Sequence, residues 1–233
     1  MRLAYLALAT ATLTVPATVQ AQTADRPVVV ELYTSQGCSS CPPADAVLAK
    51  IALRRDVIAL ALHVDYWDYI GWKDTFGDKA FSDRQRAYAQ FAGDSTIYTP
   101  QMVIGGGEKL VGADEGKLAR LLTTGAAAQG PQIKLTRSGN TLNVRATSST
   151  PLAAGTLVQL VRYIPSASVA VTRGENAGHT ITYTNIVTSW QKVAIWDGQA
   201  PLTLDLTAKG EQPAVVIIQE PGPGPILAAA VLR

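Results

Sequence analysis

The stretch 28-VVVELYTSQGCSSCPPAD-45 contains both cysteines of the chain, with two residues between them. The apolar run that leads into it, 27-PVVVELY-33, is typical of a buried strand. The segment 43-PADAVLAKIALRR-55 has apolar residues at helical spacing. Pro42 and Pro43 suit a helix start, where their missing N–H groups cost little. The cysteine pair is therefore predicted at the junction between a strand and a helix.

This junction favours thiol chemistry. The unpaired backbone N–H groups at a helix N-terminus lower the pKa of a nearby thiol, which then becomes a nucleophile at neutral pH. Cys38 is the predicted attacking thiolate, and Cys41, one turn later, is predicted to resolve the mixed disulfide that forms. From the pattern alone, the pair is a redox couple, half of a metal site or a short structural disulfide.

Strand-like and helix-like segments alternate from residue 27 to residue 124. The second apolar run, 57-VIALALHVDY-66, is nearly continuous, as in a parallel strand covered on both faces. Ser82 is the predicted N-cap of the next helix, and Asp114 is that of the last one. The remaining elements are predicted as a loop over 66–78, a helix over 81–92, strands over 101–106 and 108–113, and a helix over 115–124, in the order β-α-β-α-β-β-α.

The pattern changes after residue 124. The segment 125-GAAAQGPQ-132 is rich in glycine and alanine and is predicted to be a linker. Over residues 133–233, short strand-like runs alternate with turn signals such as 221-PGPGP-225, which predicts an antiparallel β-sandwich domain. The predicted strands cover 133–137, 141–146, 156–164, 168–173, 179–187, 190–196, 202–207, 214–219 and 226–232.

Residues 1–21 are predicted to be a signal peptide rather than part of the fold. Arg2 precedes an apolar stretch, and 19-VQA-21 has small or apolar residues where a signal peptidase requires them. We expect cleavage after Ala21 and a periplasmic or secreted product. No later segment is apolar for long enough to cross a bilayer, so we expect no stable membrane anchor after cleavage.

The composition indicates the general class of protein and argues against nucleic acid binding. The chain has 233 residues, 47% apolar and 16% charged, with a formal net charge of +2. These values are typical of a globular protein. No run of lysines or arginines forms the concentrated basic patch that nucleic acid binding requires, so we expect no nucleic acid partner.

Two alternatives to a redox couple are open. A disulfide that closes so short a loop stabilises a fold by roughly 2 kcal/mol at most, which makes a purely structural role a weak one. A zinc site needs two further ligands, and the chain offers only His63 and His179 as histidine ligands. Two soft thiolates would instead favour Cu(I), as in a copper chaperone or sensor.

The order of elements over residues 27–124, with a Cys-x-x-Cys pair after the first strand, resembles the thioredoxin fold. This resemblance implies a thioredoxin-like domain within residues 22–124 and a cis-proline at Pro100, preceded by Thr99 and lying against the cysteines to orient the substrate. It also implies a buried acid upstream of the first cysteine as a proton acceptor. Glu31 is the candidate for that relay to Cys41, although it stands one residue further upstream than usual.

A narrower resemblance is carried by 31-ELYTSQGCSSCPPAD-45, 63-HVDYWDYIGWKD-74 and 174-GENAGHTITYTNIV-187. These stretches are similar to the DUF1223 family of exported bacterial proteins, which combine a thioredoxin-like domain with further sequence and have no established substrate. The similarity covers most of the predicted mature chain. It supports the fold more strongly than any function.

Several polar and aromatic residues flank the pair. Ser35 and Gln36 are candidates for hydrogen bonds to a thiolate or substrate, although the turn itself also explains them. Trp67 belongs to an aromatic loop that either lines a groove for a substrate or packs onto the second domain. His63, at a strand end, is either part of the site or simply hydrogen-bonded there. The tip 173-RGENAGH-179 is either a solvated turn or a cover over the thiols.

The combined prediction is an exported thiol–disulfide oxidoreductase that acts on a protein or peptide partner. Its catalytic residues are expected to be Cys38, Cys41, Pro100 and Glu31. No cofactor and no metal are expected, because the disulfide itself carries the two electrons. The alternatives are a non-catalytic binding module with a structural disulfide and a thiolate-based copper chaperone.

Overall fold

The structure is a computed structural model that describes residues 19–20, 26–124 and 129–233. It is a mixed α/β protein with one eight-stranded sheet and one antiparallel sheet of four strands. The strands are β1 Val19–Gln20, β2 Val28–Thr34, β3 Val57–His63, β4 Gln101–Ile104, β5 Glu108–Val111, β6 Gln132–Ser138, β7 Thr141–Thr147, β8 Leu157–Ala170, β9 Thr180–Ile195, β10 Leu202–Thr207, β11 Ala214–Gln219 and β12 Ile226–Leu232, and the helices are α1 Pro42–Ile51, α2 Lys79–Phe91 and α3 Glu115–Thr124.

Strand β2 lies in the middle of the N-terminal half, parallel to β3 and antiparallel to β4, which forms a hairpin with β5. Helices α1 and α3 cover one face of these strands, and α2 covers the other. Because side chains alternate along a strand, Val30 and Leu32 pack towards α1 and α3, while Val29 and Tyr33 pack towards α2. Every residue of β2 and β3 is buried, as their nearly continuous apolar sequences predict.

The large sheet continues into the C-terminal half. Its strand order is β12-β11-β8-β9-β3-β2-β4-β5, so strands from both sides of the predicted linker form one sheet. Strand β9 runs parallel to β3 with Ile186 opposite Ala61, and the Asn185 side chain donates to the Ala59 carbonyl at 2.9 Å. Strands β8, β9, β11 and β12 of the predicted β-sandwich domain thus belong to the same sheet as the strands of the predicted thioredoxin-like domain. Residues 125–128 of the predicted linker lie outside the described residues.

The small sheet has the order β1-β6-β7-β10 and packs against the end of the large sheet formed by β8, β11 and β12. Its strands alternate between buried and more exposed residues, as expected for a sheet covered on one face. The fully buried residues between the two sheets are mostly aliphatic, and they include Leu135, Leu142, Val144, Val158, Val216 and Ile218.

Strands β8 and β9 are much longer than predicted. The four short strands expected over 156–196 form two strands of 14 and 16 residues, which pair along their whole length with two register shifts. Beyond the part of β8 that pairs with β11, residues 166–170 and 180–184 continue as a two-stranded ribbon. The tip of this ribbon, residues 171–179, reaches the cysteine pair.

The helix ends differ in detail from the sequence prediction. Asp78, not Ser82, caps α2, because its side chain accepts from the Ala80 N–H at 2.8 Å. Ser82 lies buried inside the helix and donates to Asp65. Asp114 does cap α3, accepting from the Lys117 N–H at 2.8 Å. Helix α1 ends at Ile51, four residues earlier than predicted.

The predicted signal peptide lies almost entirely outside the described residues. Only Val19 and Gln20 of that segment are described, and their backbone pairs with Arg137 and Thr136 of β6. Within the part of the chain that the structure describes, none of the helices has the length and apolar character needed to span a bilayer.

Candidate functional site

Cys38 and Cys41 form a disulfide at the start of α1, with an S–S distance of 2.11 Å. Cys41 is the N-cap residue, and Pro42 and Pro43 occupy the first two helical positions. The turn before the pair is closed by Ser35, whose carbonyl accepts from the Cys38 N–H at 3.1 Å and whose hydroxyl accepts from the Gly37 N–H at 3.1 Å. Ser35 therefore shapes the turn that presents Cys38.

Gln36 ties this turn to the aromatic loop. Its side-chain oxygen accepts from the Trp72 indole N–H at 2.8 Å, and its side-chain nitrogen donates to the Thr75 hydroxyl at 2.8 Å. Its backbone N–H donates to Asp74 Oδ2 at 2.8 Å. Since its side chain is held on both atoms by this loop, Gln36 positions the site rather than offering a free group to a substrate.

The ribbon tip of residues 171–179 covers the cysteine pair. Asn176, which is buried, donates from Nδ2 to the carbonyl oxygens of Gln36 at 2.9 Å and Cys38 at 3.0 Å. Glu175 accepts from the Ser39 hydroxyl at 2.7 Å and from its N–H at 3.2 Å. Cys38 is only 1% exposed and Cys41 is fully buried. These contacts agree with the interpretation of 173–179 as a cover rather than as a solvated turn.

A group of buried polar atoms lies where α1, β2, β3 and β9 meet. His63 is the last residue of β3, and its Nδ1 is hydrogen-bonded to Asp74 Oδ2 at 2.8 Å. Its Nε2 has no hydrogen-bond partner among the described residues. The Tyr183 hydroxyl has none either, and the buried Asp45 carboxylate lies beside the Thr34 hydroxyl. The rings of His63 and Tyr183 are 4.7 Å apart, in an edge-to-face arrangement. Buried groups of this kind are rare and point to a role in function or to bound water.

Asp45 connects this group to the disulfide. It lies one helical turn after Cys41, so that the two side chains share a face of α1, and its backbone N–H donates to the Cys41 carbonyl at 3.1 Å. Burial raises the pKa of the Asp45 carboxyl from 3.8 to about 7, and the neighbouring His63 and Thr34 side chains oppose that shift. A carboxyl with such a pKa exchanges its proton near neutral pH.

Glu31 does not occupy the position that the relay to Cys41 requires. Its side chain points to the α2 face of the sheet, where Arg84 donates to both carboxylate oxygens at 2.7 and 2.8 Å and Tyr88 donates at 2.7 Å. The Tyr33 hydroxyl also donates to it, at 3.0 Å. Helix α1, which begins directly after Cys41, lies on the other face. Glu31 is therefore part of a buried ion pair, and the acid on the side of the cysteines is Asp45.

The Thr99–Pro100 peptide bond is cis, as the thioredoxin resemblance implies, while the role of Pro100 in orienting a substrate stays a prediction. The Thr99 hydroxyl accepts from the Trp67 indole N–H at 2.7 Å. Trp67 in turn lies against the turn before Cys38, since a methyl group added at Gly37 would come within 3.1 Å of the Trp67 Cβ. Trp67 thus bridges the loop of Thr99 and the loop of Cys38.

The sequence left two roles open for the aromatic loop, which were lining a groove and packing onto the C-terminal half. Different parts of the loop fit the two roles. Trp72 lies against Gly174 of the ribbon tip, and Phe76 packs edge-to-face on Tyr183 of β9. This part of the loop therefore packs against the C-terminal half. Trp67 and Tyr69 stack instead with nearly parallel rings, and Tyr69 is 81% exposed. Tyr69 is therefore the solvent-exposed end of that second part.

The sequence reasoning missed Asp45, Asp74, Asn176 and Tyr183. A signal existed only for Asp45, which precedes Leu48 by three residues and therefore falls on the apolar face of α1. The other three come from a loop, a turn and a distant strand, and only the tertiary fold places them beside the cysteines. Within the described residues, no three histidine, cysteine or acidic side chains are grouped so that they could hold a metal ion.

The fold and the site define a mixed α/β protein with a Cys-x-x-Cys disulfide at a helix start, covered by a ribbon from its C-terminal half. The chain belongs to the family described as "Protein of unknown function (DUF1223)", whose model matches residues 29–219. No curated protein matches it significantly.

Two solved structures are similar to this one. The crystal structure of protein AGR_C_4864 from Agrobacterium tumefaciens shares 30% identity with a TM-score of 0.75, and the match covers 91% of this chain and 96% of that one. HBP35 of Porphyromonas gingivalis shares 15% identity with a TM-score of 0.56, over 91% of this chain and 76% of that one. The second similarity supports the fold alone.

Proposed function

We propose that this protein is a thiol–disulfide oxidoreductase that uses the Cys38–Cys41 couple on a protein or peptide partner. The observation that carries the proposal is the disulfide itself, placed at the N-terminus of the ten-residue helix α1 with Cys41 as its N-cap. Pro42 and Pro43 carry no N–H, so the positive end of the α1 dipole is what favours a thiolate at this place, and the reduced Cys38 is expected to be a nucleophile at neutral pH.

The proposed exchange follows the chemistry of a dithiol. The Cys38 thiolate attacks one sulfur of the partner disulfide, and the other partner sulfur leaves as a thiolate. The Cys41 thiolate then attacks Cys38 Sγ in the mixed disulfide, releases the second partner thiolate and re-forms the Cys38–Cys41 bond. Two electrons pass to the partner, and the same steps in reverse oxidise a partner dithiol.

Asp45 takes the place in this proposal that the sequence assigned to Glu31. Cys41 is fully buried and needs a base to lose its proton before it can attack. The Asp45 carboxyl shares its helix face, and its pKa of about 7 suits proton transfer at neutral pH. When the disulfide re-forms, Asp45 accepts the Cys41 proton, and when it is reduced, Asp45 returns it.

The arrangement of the N-terminal half supports a thioredoxin-like domain. It has two helices on one face of the sheet and one on the other, the cysteine pair before α1 and a cis peptide bond at Thr99–Pro100. The packing of the small sheet on β8, β11 and β12 supports a sandwich-like C-terminal half. We also propose export, with cleavage after Ala21 and a periplasmic or secreted product, from the sequence of residues 1–21.

Alkylation by iodoacetamide as a function of pH tests the proposal. The Cys41→Ser variant leaves Cys38 as the single thiol, and the matched Cys38→Ser variant leaves Cys41. We expect Cys38 to react with an apparent pKa well below the ordinary value of about 8.5, and Cys41 to react slowly at every pH. An ordinary pKa for Cys38, together with equal reactivity of the two thiols, would contradict a catalytic couple and favour a structural disulfide.

A further inference from the structure

Three aromatic side chains form a ledge beside the cysteine pair, defined here as Tyr66, Trp67 and Tyr69. The rings of Trp67 and Tyr69 are 6.4 Å apart and within 12° of parallel, and the rings of Tyr66 and Trp67 are 6.4 Å apart at 36°. Tyr66 and Trp67 pack partly against the core, whereas Tyr69 is 81% exposed. The outer end of the ledge therefore presents a large aromatic surface to solvent.

Two side chains of the ledge, Tyr66 and Trp67, are hydrogen-bonded to neighbouring elements. The Trp67 indole N–H donates to the Thr99 hydroxyl at 2.7 Å, and the Tyr66 hydroxyl donates to Gln85 Oε1 at 3.1 Å. Gln85 also donates to the Tyr98 carbonyl at 2.7 Å, which links the ledge to the loop before Pro100. A preorganised aromatic surface loses little side-chain entropy when it binds a partner.

The ledge remains open where the disulfide is covered. The ribbon tip packs on the same loop at Gly174, where the nearest side chains are Ile70 and Trp72. On its inner side the ledge adjoins the turn before Cys38, because Ile70 and Trp67 both lie 3.1 Å from the Cβ position at Gly37. The ledge is therefore the exposed aromatic surface next to the turn that carries Cys38.

We propose that the ledge recognises an extended polypeptide partner that carries an aromatic side chain close in sequence to its reacting cysteine. The inference rests on the proposed thiol–disulfide exchange at Cys38. Residues two apart in an extended chain point to the same side, so a partner's cysteine and an aromatic ring at that spacing can face the protein together. Exposed aromatic faces gain most from another aromatic ring, through offset or edge-to-face stacking.

The test compares two synthetic peptides whose single cysteine carries glutathione as a mixed disulfide. One has tyrosine two residues before the cysteine, and the other has alanine there. Second-order rate constants are measured for the reduced wild-type protein, for Tyr69→Ser and for Leu53→Ser. Leu53 is a matched control, because it is 87% exposed and lies beyond the far end of α1. Glutathione disulfide serves as a substrate without an aromatic ring.

We expect the tyrosine peptide to react about threefold to tenfold faster than the alanine peptide, as one aromatic pair allows. Tyr69→Ser should abolish this preference, whereas Leu53→Ser should retain it and leave the rate with glutathione disulfide unchanged. Equal rates for the two peptides, or a preference that survives in Tyr69→Ser, would overturn the inference alone. If neither peptide nor glutathione disulfide reacts, the proposed function fails and the inference fails with it.

Discussion

Replacing Asp45 with asparagine tests whether a buried carboxyl beside the disulfide resists ionisation. Burial raises the pKa of this group from 3.8 to about 7 in the folded protein. A difference of about three pK units corresponds to about 4 kcal/mol of unfolding free energy, since one unit is 1.36 kcal/mol. The folded protein keeps a proton that the unfolded chain releases, so Asp45 lowers stability as the pH rises from about 4 to about 7. Asparagine cannot ionise and removes this loss.

The assay is urea unfolding of the oxidised protein at pH 4.5 and pH 8.5. Asp45→Asn should be similar to the wild type at the lower pH and more stable by up to about 4 kcal/mol at the higher pH. Asp83→Asn is the control, because ion pairs with Lys79 and Arg86 lower the pKa of the exposed Asp83, and its contribution changes only at pH values below this range. A stability difference between Asp45→Asn and the wild type that stays constant between the two pH values would refute the reasoning.

Three further predictions concern the cover, the buried ion pair and the N-terminus. Asn176→Ala removes two hydrogen bonds to the cysteine loop, so dithiothreitol should reduce the disulfide about tenfold faster. An unchanged rate would show that the ribbon tip does not limit access to the disulfide. Glu31→Gln leaves the nearly buried Arg84 without its counter-charge, and it should lower the free energy of unfolding in urea by about 3–5 kcal/mol. A decrease under about 1 kcal/mol would mean that the ion pair contributes little. Mass spectrometry after expression with the full N-terminus in a bacterium should find a mature chain that begins at Gln22, and an intact N-terminus would contradict export.

The local elements of the N-terminal half could be predicted because their signals are local. The continuous apolar run of β2, Pro42 and Pro43 after the cysteines, and the acceptor side chain of Asp114 each act within a few residues of the element they define. Ser82 was misjudged as a cap because Asp78 is an equally good acceptor four residues earlier, and the extra helical turn adds backbone hydrogen bonds.

The long-range features had no local signal. The parallel pairing of β9 with β3 joins residues about 125 positions apart, and the sequence of neither strand indicates which strand it pairs with. Glu31 was the candidate relay because the thioredoxin resemblance implies a buried acid upstream of the first cysteine, and the sequence of the strand does not reveal that Arg84 binds this acid. Asn176 lies in an ordinary turn sequence, and only the length of β8 and β9 carries it to Cys38.

The reduction potential of the Cys38–Cys41 pair, titrated against glutathione in the mature protein, tests the central claim most directly. Cys38→Ser provides the control for exchange at any other site. The account predicts a reversible couple with a potential near or above about −230 mV, within the range of exchanging oxidoreductases. A potential below roughly −300 mV, with no detectable exchange, would show that the disulfide is structural and would contradict the proposed function.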